Sequence, residues 1–209
     1  LKNAITYSDN VYFARSALNI GKENLFKYYK NLKIAEKIPF ELALNRSQYI
    51  NKNQKVNDQF IADSGYGQGQ ILMNPLQLAS IYSSFVNEGS IYQPHIVQGK
   101  TKTWIKNVFS KETSQTIKED LINVIADEKG TGHSIYHDNV TLAGKTGTAE
   151  IKQSQSDTTG TELGWFTVMT TDSKQPLLIT TLVEDVKDRG GSGYVVEHTK
   201  TPLDLYLSK

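Results

Sequence analysis

The spacing of apolar residues divides the chain into a helical first part and a strand-rich second part. Four segments show the repeat of an amphipathic helix with one apolar face. The predicted inner faces are Val11, Ala14, Ala17 and Leu18; Leu25, Phe26, Tyr29 and Leu32; Leu78, Ile81, Tyr82 and Phe85; and Ile117, Leu121, Val124 and Ile125. Residues 33–62 show weak periodicity and many polar residues, so they are predicted to be mostly irregular connection.

Capping residues place the ends of these helices. Asn74 followed by Pro75 predicts a helix start, because Asn is a favoured cap and Pro suits the first helical position. Ser110 is predicted to cap the last of the four helices. Gly21 and Gly89 stand where the first and third helices are expected to end.

Three strand-like runs follow, at residues 139–151, 162–171 and 176–185. The polar stretch 152–161 and the short one around residues 172–175 are predicted to be the loops between them. Residues 193–208 are predicted to be helical, with Pro202 kinking or splitting the helix.

This order of elements predicts an α+β fold: helices first, then a three-stranded antiparallel meander and a closing helix. Three strands form a thin sheet for so much helix. We therefore expect an N-terminal part of the domain to lie outside these 209 residues.

The composition is that of a globular protein, with 38% hydrophobic and 22% charged residues. A net charge of +1 gives no reason to expect a nucleic-acid partner. The chain has no cysteine, which excludes disulfides, zinc–thiolate sites and a thiol nucleophile. The longest apolar run, around Leu177–Val183, is too short to span a bilayer.

The first of the three strands contains the most informative polar residues. After the apolar Val140, Leu142 and Ala143, the stretch Lys145-Thr146-Gly147-Thr148 places a cation and two hydroxyls along one extended segment. Such a strand edge can hold a carboxylate or a peptide. The alternative is an edge strand with a solubilising lysine, which is a common arrangement. From this stretch alone, both interpretations stay open.

Other candidate residues are given structural interpretations. Gly65, Gly67 and Gly69 are predicted to serve tight turns. The spacing of His133, His137 and Asp138 suggests a metal, but these residues follow a Gly-Thr-Gly break and no further ligand is evident. We therefore expect surface histidines, with no metal site and no cofactor.

Two short motifs, Ser8-Asp9-Asn10 and Lys145-Thr146-Gly147, stand in the order found in penicillin-binding proteins and class A β-lactamases. With their surroundings, they make essentially all 209 residues resemble the C-terminal part of a class B penicillin-binding protein transpeptidase domain. The sequence is most similar to penicillin-binding proteins of the low-affinity, methicillin-resistance type of Gram-positive bacteria. The further stretches that carry the resemblance are Ser64-Gly-Tyr-Gly-Gln-Gly, Asn74-Pro-Leu-Gln-Leu-Ala, Pro94-His-Ile-Val, Gly130-Thr-Gly and Gly164-Trp-Phe.

The resemblance implies that residues 1–209 form the C-terminal portion of one transpeptidase domain. Residues 1–138 would be its mostly helical part with Ser-Asp-Asn, and residues 139–209 its sheet part with Lys-Thr-Gly and a closing helix. One departure is important: no serine in the chain has a lysine three positions on, so the Ser-x-x-Lys nucleophile motif is absent. We therefore expect this chain to begin after the nucleophile and to be inactive alone.

The resemblance also implies a role for each motif residue. Ser8 would relay the proton to the leaving nitrogen, and Asn10 would bind the amide side of the substrate. Lys145 would attract the substrate carboxylate and depress the pKa of the lysine in the absent motif. Thr146, Gly147 and Thr148 would bind substrate, with the two hydroxyls on the carboxylate and the Thr148 N–H in the oxyanion hole. As alternatives, Ser8 would be a helix N-cap, Asn10 a solvated helix residue and Lys145 an ordinary strand lysine.

The implied function is that of a peptidoglycan D,D-transpeptidase, which cross-links D-Ala-D-Ala stem peptides by serine acyl transfer and binds β-lactams when intact. The expected partners are stem peptides, β-lactams, the N-terminal remainder of the domain and cell-wall synthesis proteins. The expected location is the extracellular face of the bacterial cytoplasmic membrane, through an N-terminal anchor outside this chain. The alternatives are a non-catalytic module that senses or scaffolds the cell wall, and a β-lactamase or D,D-carboxypeptidase.

Overall fold

The computed structural model describes residues 1–152, 157, 159–172 and 174–208. Part of the predicted loop 152–161 and one residue of the predicted turn 172–175 therefore lie outside the described residues. The chain forms two compact units, one of Leu1–Ser8 with Ile117–Lys209 and one of Asp9–Thr116. In chain order the helices and strands are α1 Lys2–Thr6, α2 Asn10–Ile20, α3 Lys22–Asn31, α4 Asp58–Gly65, α5 Pro75–Ser83, β1 Ile91–Tyr92, β2 Thr103–Ile105, α6 Lys111–Ala126, β3 Leu142–Ile151, β4 Thr161–Thr170, β5 Leu178–Val183 and α7 Ser192–Leu207.

In the unit of residues 9–116, α2 and α3 confirm the first two predicted helices. Gly21 has a φ of 78° at their junction, a conformation that glycine adopts without strain. The inner face predicted for α2 is only partly right, since Ala17 is buried whereas Val11 and Leu18 are exposed. Ala17 packs in a small core with Phe60 and Ile61 of α4.

The prediction that residues 33–62 are mostly irregular is confirmed for residues 33–57, whereas helix α4, which begins at Asp58, was not predicted. The Asn57 side chain caps it by accepting from the Phe60 N–H at 2.9 Å. A helix of eight residues that buries only a few side chains gives a weak periodic signal. Its last residue, Gly65, has no room for a side chain, because an added Cβ would clash with the backbone oxygen of Phe13. Gly65 is thus required for α2–α4 packing, whereas Gly67 and Gly69, with φ near 80° and 74°, serve turns as predicted.

Helix α5 begins as predicted, with Asn74 accepting from the Leu76 N–H at 2.9 Å. The residues of its predicted apolar inner face are partly buried, but its predicted end at Gly89 is wrong. The helix stops at Ser83, and its fully buried residues are polar, Gln77 and Ser80. The Gln77 amide donates to the carbonyls of Leu32 and Lys33, which explains why a polar side chain is tolerated there. Strands β1 and β2 form an antiparallel pair that was not predicted.

In the other unit, β3, β4 and β5 form an antiparallel sheet in that order, so the predicted meander is confirmed. Helix α7 packs on the sheet and runs through Pro202 without being split. The core lies between α7, β4 and the end of α6; its buried residues include Ile125, Ile135, Leu142, Phe166, Val168, Val195, Val196 and Leu203. The α+β fold class is therefore confirmed.

Among the described residues, no helix combines the length and apolar character needed to cross a bilayer.

Two glycines in this unit give a matched test of the sheet–helix packing. An alanine Cβ at Gly164 on β4 would clash with Val195 of α7 and lie 3.1 Å from methyl carbons of Val186. We expect Gly164→Ala to lower the free energy of unfolding by about 1–3 kcal/mol, as overpacking does. Gly193 is exposed within α7 and has open space around it. Gly193→Ala should instead leave stability equal or raise it by up to about 1 kcal/mol through helix propensity. Urea unfolding measures the free energy of unfolding of both variants. Equal changes in the two would contradict this description of the packing.

Candidate functional site

Ser8 lies in a left-handed turn between α1 and α2, with a φ of 58°. The N-cap of α2 is the next residue, Asp9, whose carboxylate accepts from the Tyr12 N–H at 3.0 Å. The alternative that Ser8 caps this helix is therefore wrong. A serine in this backbone conformation is strained by about 1–2 kcal/mol, and strain of this kind concentrates at functional sites.

Lys145 on β3 lies directly against Ser8. Its ammonium donates to Ser8 Oγ at 2.8 Å and to the Thr146 carbonyl at 3.0 Å. Burial strips water from the charged form and lowers the pKa of Lys145 from 10.5 to about 8. Among the described residues, the ion pairs do not include Lys145. The ammonium is thus held by neutral oxygens, and its charge is available to an anionic ligand.

The three residues after Lys145 differ in exposure and in their contacts. Thr146 is buried, and its hydroxyl donates to Thr131 Oγ1 at 2.7 Å. Thr148 is exposed, and its hydroxyl oxygen accepts from the Ser192 N–H at the start of α7, at 3.2 Å. An added Cβ at Gly147 would be in ordinary contact with Trp165, at 3.5 Å, so crowding by β4 does not require glycine there.

Strand β3 is an edge strand in the described part of the chain, because its one sheet neighbour is β4. An edge of this kind presents unpaired backbone N–H and C=O groups that can pair with an extended ligand. Lys145, Thr146, Gly147 and Thr148 all lie within β3. A cation and hydroxyls along one edge strand suit a peptide that carries a carboxylate.

Asn10 is the first residue of α2 and is exposed. It belongs to the unit of residues 9–116, whereas Ser8 and Lys145 belong to the other. The predicted role of Asn10 therefore stays a prediction.

Two residues at this site were missed in the sequence. The sequence places Thr131 in a Gly-Thr-Gly stretch but gives it no role at the site, yet its hydroxyl accepts from the Thr146 hydroxyl. Tyr7 adjoins Ser8 and donates to Asp127 Oδ2 at 3.2 Å. The two glycines around Thr131 were a usable signal, since paired glycines indicate backbone that must fit closely against neighbouring groups.

The histidines near this loop have structural partners. His133 Nδ1 lies 2.9 Å from the Ile125 carbonyl, and His137 Nε2 lies 3.0 Å from the Asp204 carboxylate. Within the described residues, no three acidic or histidine side chains are placed to share a metal ion.

Comparison with known proteins places this geometry in context. The family profile described as "Penicillin binding protein transpeptidase domain" matches residues 1–201. The chain is 40% identical to penicillin-binding protein 3 of Bacillus subtilis over 203 residues, which is 96% of this chain and 30% of that protein. It is 25% identical to the peptidoglycan D,D-transpeptidase MrdA of Haemophilus influenzae, over 100% of this chain and 36% of that protein. The chain thus spans about a third of the length of these curated relatives.

Solved structures show the same fold. PBPA from Mycobacterium tuberculosis aligns with a TM-score of 0.77 at 18% identity, covering 94% of this chain and 45% of that one. PBP2 from Helicobacter pylori, solved in complex with MreC, aligns with a TM-score of 0.76 at 24% identity, covering 97% and 39%. At these identities the likeness concerns the fold.

Proposed function

The chain belongs to the penicillin-binding protein transpeptidase family, and we propose on that basis that it supplies part of a serine acyl-transfer site acting on peptidoglycan stem peptides. The observation that carries the proposal is the 2.8 Å hydrogen bond from the Lys145 ammonium to Ser8 Oγ. The contact joins the two family motifs, which are separated by more than a hundred residues. A desolvated cation beside a serine hydroxyl suits proton movement next to an anionic substrate.

In the proposed reaction, a serine hydroxyl attacks the carbonyl of a D-Ala-D-Ala peptide bond and forms an ester as the C–N bond breaks. The leaving D-Ala amine takes up a proton, which Ser8 relays. Lys145 attracts the terminal carboxylate, and the exposed Thr148 donates to it. The Thr148 N–H stabilises the oxyanion, and Asn10 binds the amide side of the substrate. An amine of a second stem peptide then takes the acyl group, and this step completes the cross-link.

We place the acylated serine outside these 209 residues. No serine in the chain is followed by a lysine at the third position, as the family motif requires. The chain should therefore not react with β-lactams alone, although the product of the complete gene should.

Labelling with a fluorescent penicillin tests the proposal. We expect no covalent label on the 209-residue chain and one label per molecule on the complete gene product, suppressed by prior treatment with unlabelled penicillin. Label on the chain alone would place the nucleophile within it. A complete product without label would contradict the transpeptidase proposal and favour a non-catalytic cell-wall module. Rapid hydrolysis of the β-lactam, with no stable label, would indicate a β-lactamase.

The subtype, partners and location are further parts of the proposal. We assign the chain to the low-affinity, methicillin-resistance type of penicillin-binding protein of Gram-positive bacteria. The amino-acid sequences of its motif stretches support this assignment. We place it at the extracellular face of the cytoplasmic membrane, anchored through a segment outside this chain, among cell-wall synthesis proteins. The PBP2 relative solved in complex with MreC supports the last point. The penicillin concentration that gives half-maximal labelling tests the subtype.

A further inference from the structure

Residues 127–132, here the 127–132 loop, are fixed to the C-terminal end of α6. The Gly132 N–H donates to the Val124 carbonyl at 3.0 Å, and the Asp127 carboxylate accepts from the Lys129 N–H at 2.8 Å. An added Cβ at Gly130 would clash with the Val124 carbonyl and lie 2.9 Å from that of Asn123. Because those clashes are with backbone atoms of α6, the atoms cannot move aside without disturbing the helix. The loop therefore has one well-defined position on the helix end.

The loop contacts the segment that leads into Ser8. Tyr7 Oη donates to Asp127 Oδ2 at 3.2 Å, and the Thr131 N–H faces the Thr6 carbonyl oxygen at 3.4 Å. Both contacts lie within two residues of Ser8, whose left-handed backbone is intrinsically unfavourable. Contacts at this point restrict the turn that aims the Ser8 hydroxyl.

The same loop contacts β3 beside Lys145. Thr131 Oγ1 accepts from the Thr146 hydroxyl at 2.7 Å. Thr131 thus bonds through its backbone to the Ser8 side and through its side chain to the Lys145 side. The direct Ser8–Lys145 contact spans the same two segments.

We propose that the 127–132 loop is a brace that sets the separation of Ser8 and Lys145, with Thr131 and Tyr7 as its positioning residues. The inference rests on the proposed acyl-transfer function and extends it to residues outside the two motifs. Thr131 and Tyr7 act through Ser8 and Lys145 and do not touch the reacting atoms. Small displacements of a catalytic group are expensive in rate, since a shift of about 1 Å can slow a reaction roughly 100-fold. Loss of one neutral hydrogen bond in the brace should slow acylation roughly 3- to 10-fold.

The test uses the complete gene product and a chromogenic β-lactam, with the first-order acylation rate measured separately from the dissociation constant. Thr131→Val removes the hydroxyl and keeps the backbone N–H and the shape; Thr131→Ser restores a hydroxyl. We expect Thr131→Val to lower the acylation rate roughly 3- to 10-fold, with the dissociation constant within about twofold, and Thr131→Ser to recover most of the rate. Thr171→Val, which removes an exposed threonine hydroxyl that donates to the Thr141 carbonyl, is the matched control.

Tyr7→Phe provides an independent variant at an exposed position, which keeps the test valid if Thr131→Val fails to fold. Its control is Tyr206→Phe, since the Tyr206 hydroxyl, at a partly exposed position, also donates one hydrogen bond, to the Pro176 carbonyl at 3.0 Å. The double variant should lose less than the product of the single losses, because both act on one brace.

Unchanged rates in both Thr131→Val and Tyr7→Phe would overturn the brace. A loss that appears only in the dissociation constant would also overturn it, because Thr131 would then be a ligand contact. If Lys145→Ala does not slow acylation, the proposed function fails. If Lys145→Ala slows it and the brace variants do not, only the brace fails.

Discussion

Replacing Lys145 with alanine is expected to slow acylation of the complete gene product by a β-lactam about 100- to 1,000-fold, the range found when one preorganised charge-stabilising group is removed. The substitution deletes the ammonium that donates to Ser8 Oγ at 2.8 Å and the positive charge beside the β3 edge. Both losses slow the acylation step. Ser8 loses its hydrogen-bond partner, and the substrate carboxylate loses the cation that attracts it.

The measurement is the acylation rate with a β-lactam and with its carboxylate ester. The unmodified protein should strongly prefer the free carboxylate, and Lys145→Ala should lose most of that preference. Lys174→Ala removes an equal charge from an exposed position after β4 and should stay within twofold of the unmodified protein. A Lys145→Ala rate within a factor of a few of the unmodified rate would show that Lys145 is an ordinary strand lysine.

Capping residues located only some of the helix starts, since α4 is capped by Asn57 but was not predicted, whereas α3 and α7 were predicted without a side-chain cap. Asn74 and Ser110 are side-chain caps, and each caps the helix start that it predicted. Helix α1 was missed because it has five residues and its N-terminus has no side-chain cap. Strands β1 and β2, of two and three residues, are too short for any periodic signal.

The burial of α5 could not be predicted for a different reason. The side chain of Gln77 is buried because carbonyls of Leu32 and Lys33, more than forty residues away, accept its N–H groups. Hydrophobic periodicity carries no information on such long-range partners. The apolar face that the pattern favoured is partly buried.

At the candidate site, only the residues within the family motifs could be predicted. The resemblance led to Ser8 and Lys145, and the structure brings them to 2.8 Å. The contact of Thr131 with Thr146 could not be predicted, because it depends on how the end of α6 meets β3. The motifs identify the residues that would meet substrate, whereas the residues that position them emerge only from packing.

The lowered pKa of Lys145 predicts opposite effects of alkaline pH on activity and on stability. With a pKa of about 8, Lys145 loses its proton as the pH rises through 8, so acylation by a carboxylate-bearing β-lactam should fall towards tenfold per pH unit above that point. Stability should change the other way. Between pH 8 and 10 the unfolded chain, whose lysine titrates near 10.5, binds more protons than the folded chain. The free energy of unfolding should therefore rise with pH in that window, by on the order of 2 kcal/mol.

The window closes near pH 10 because of two tyrosines. Burial raises the pKa of Tyr29 and of Tyr82 to about 12, so the folded chain keeps protons that an unfolded tyrosine loses near 10, and stability falls above that pH. Urea unfolding and acylation rates of the complete gene product, measured from pH 7 to 10 for the unmodified protein and Lys145→Ala, separate these effects. The alanine variant should lack both the rise in stability and the fall in rate that are due to Lys145. If activity and stability of the unmodified protein fall together between pH 8 and 10, alkaline unfolding causes the loss, and the charge assigned to Lys145 is wrong.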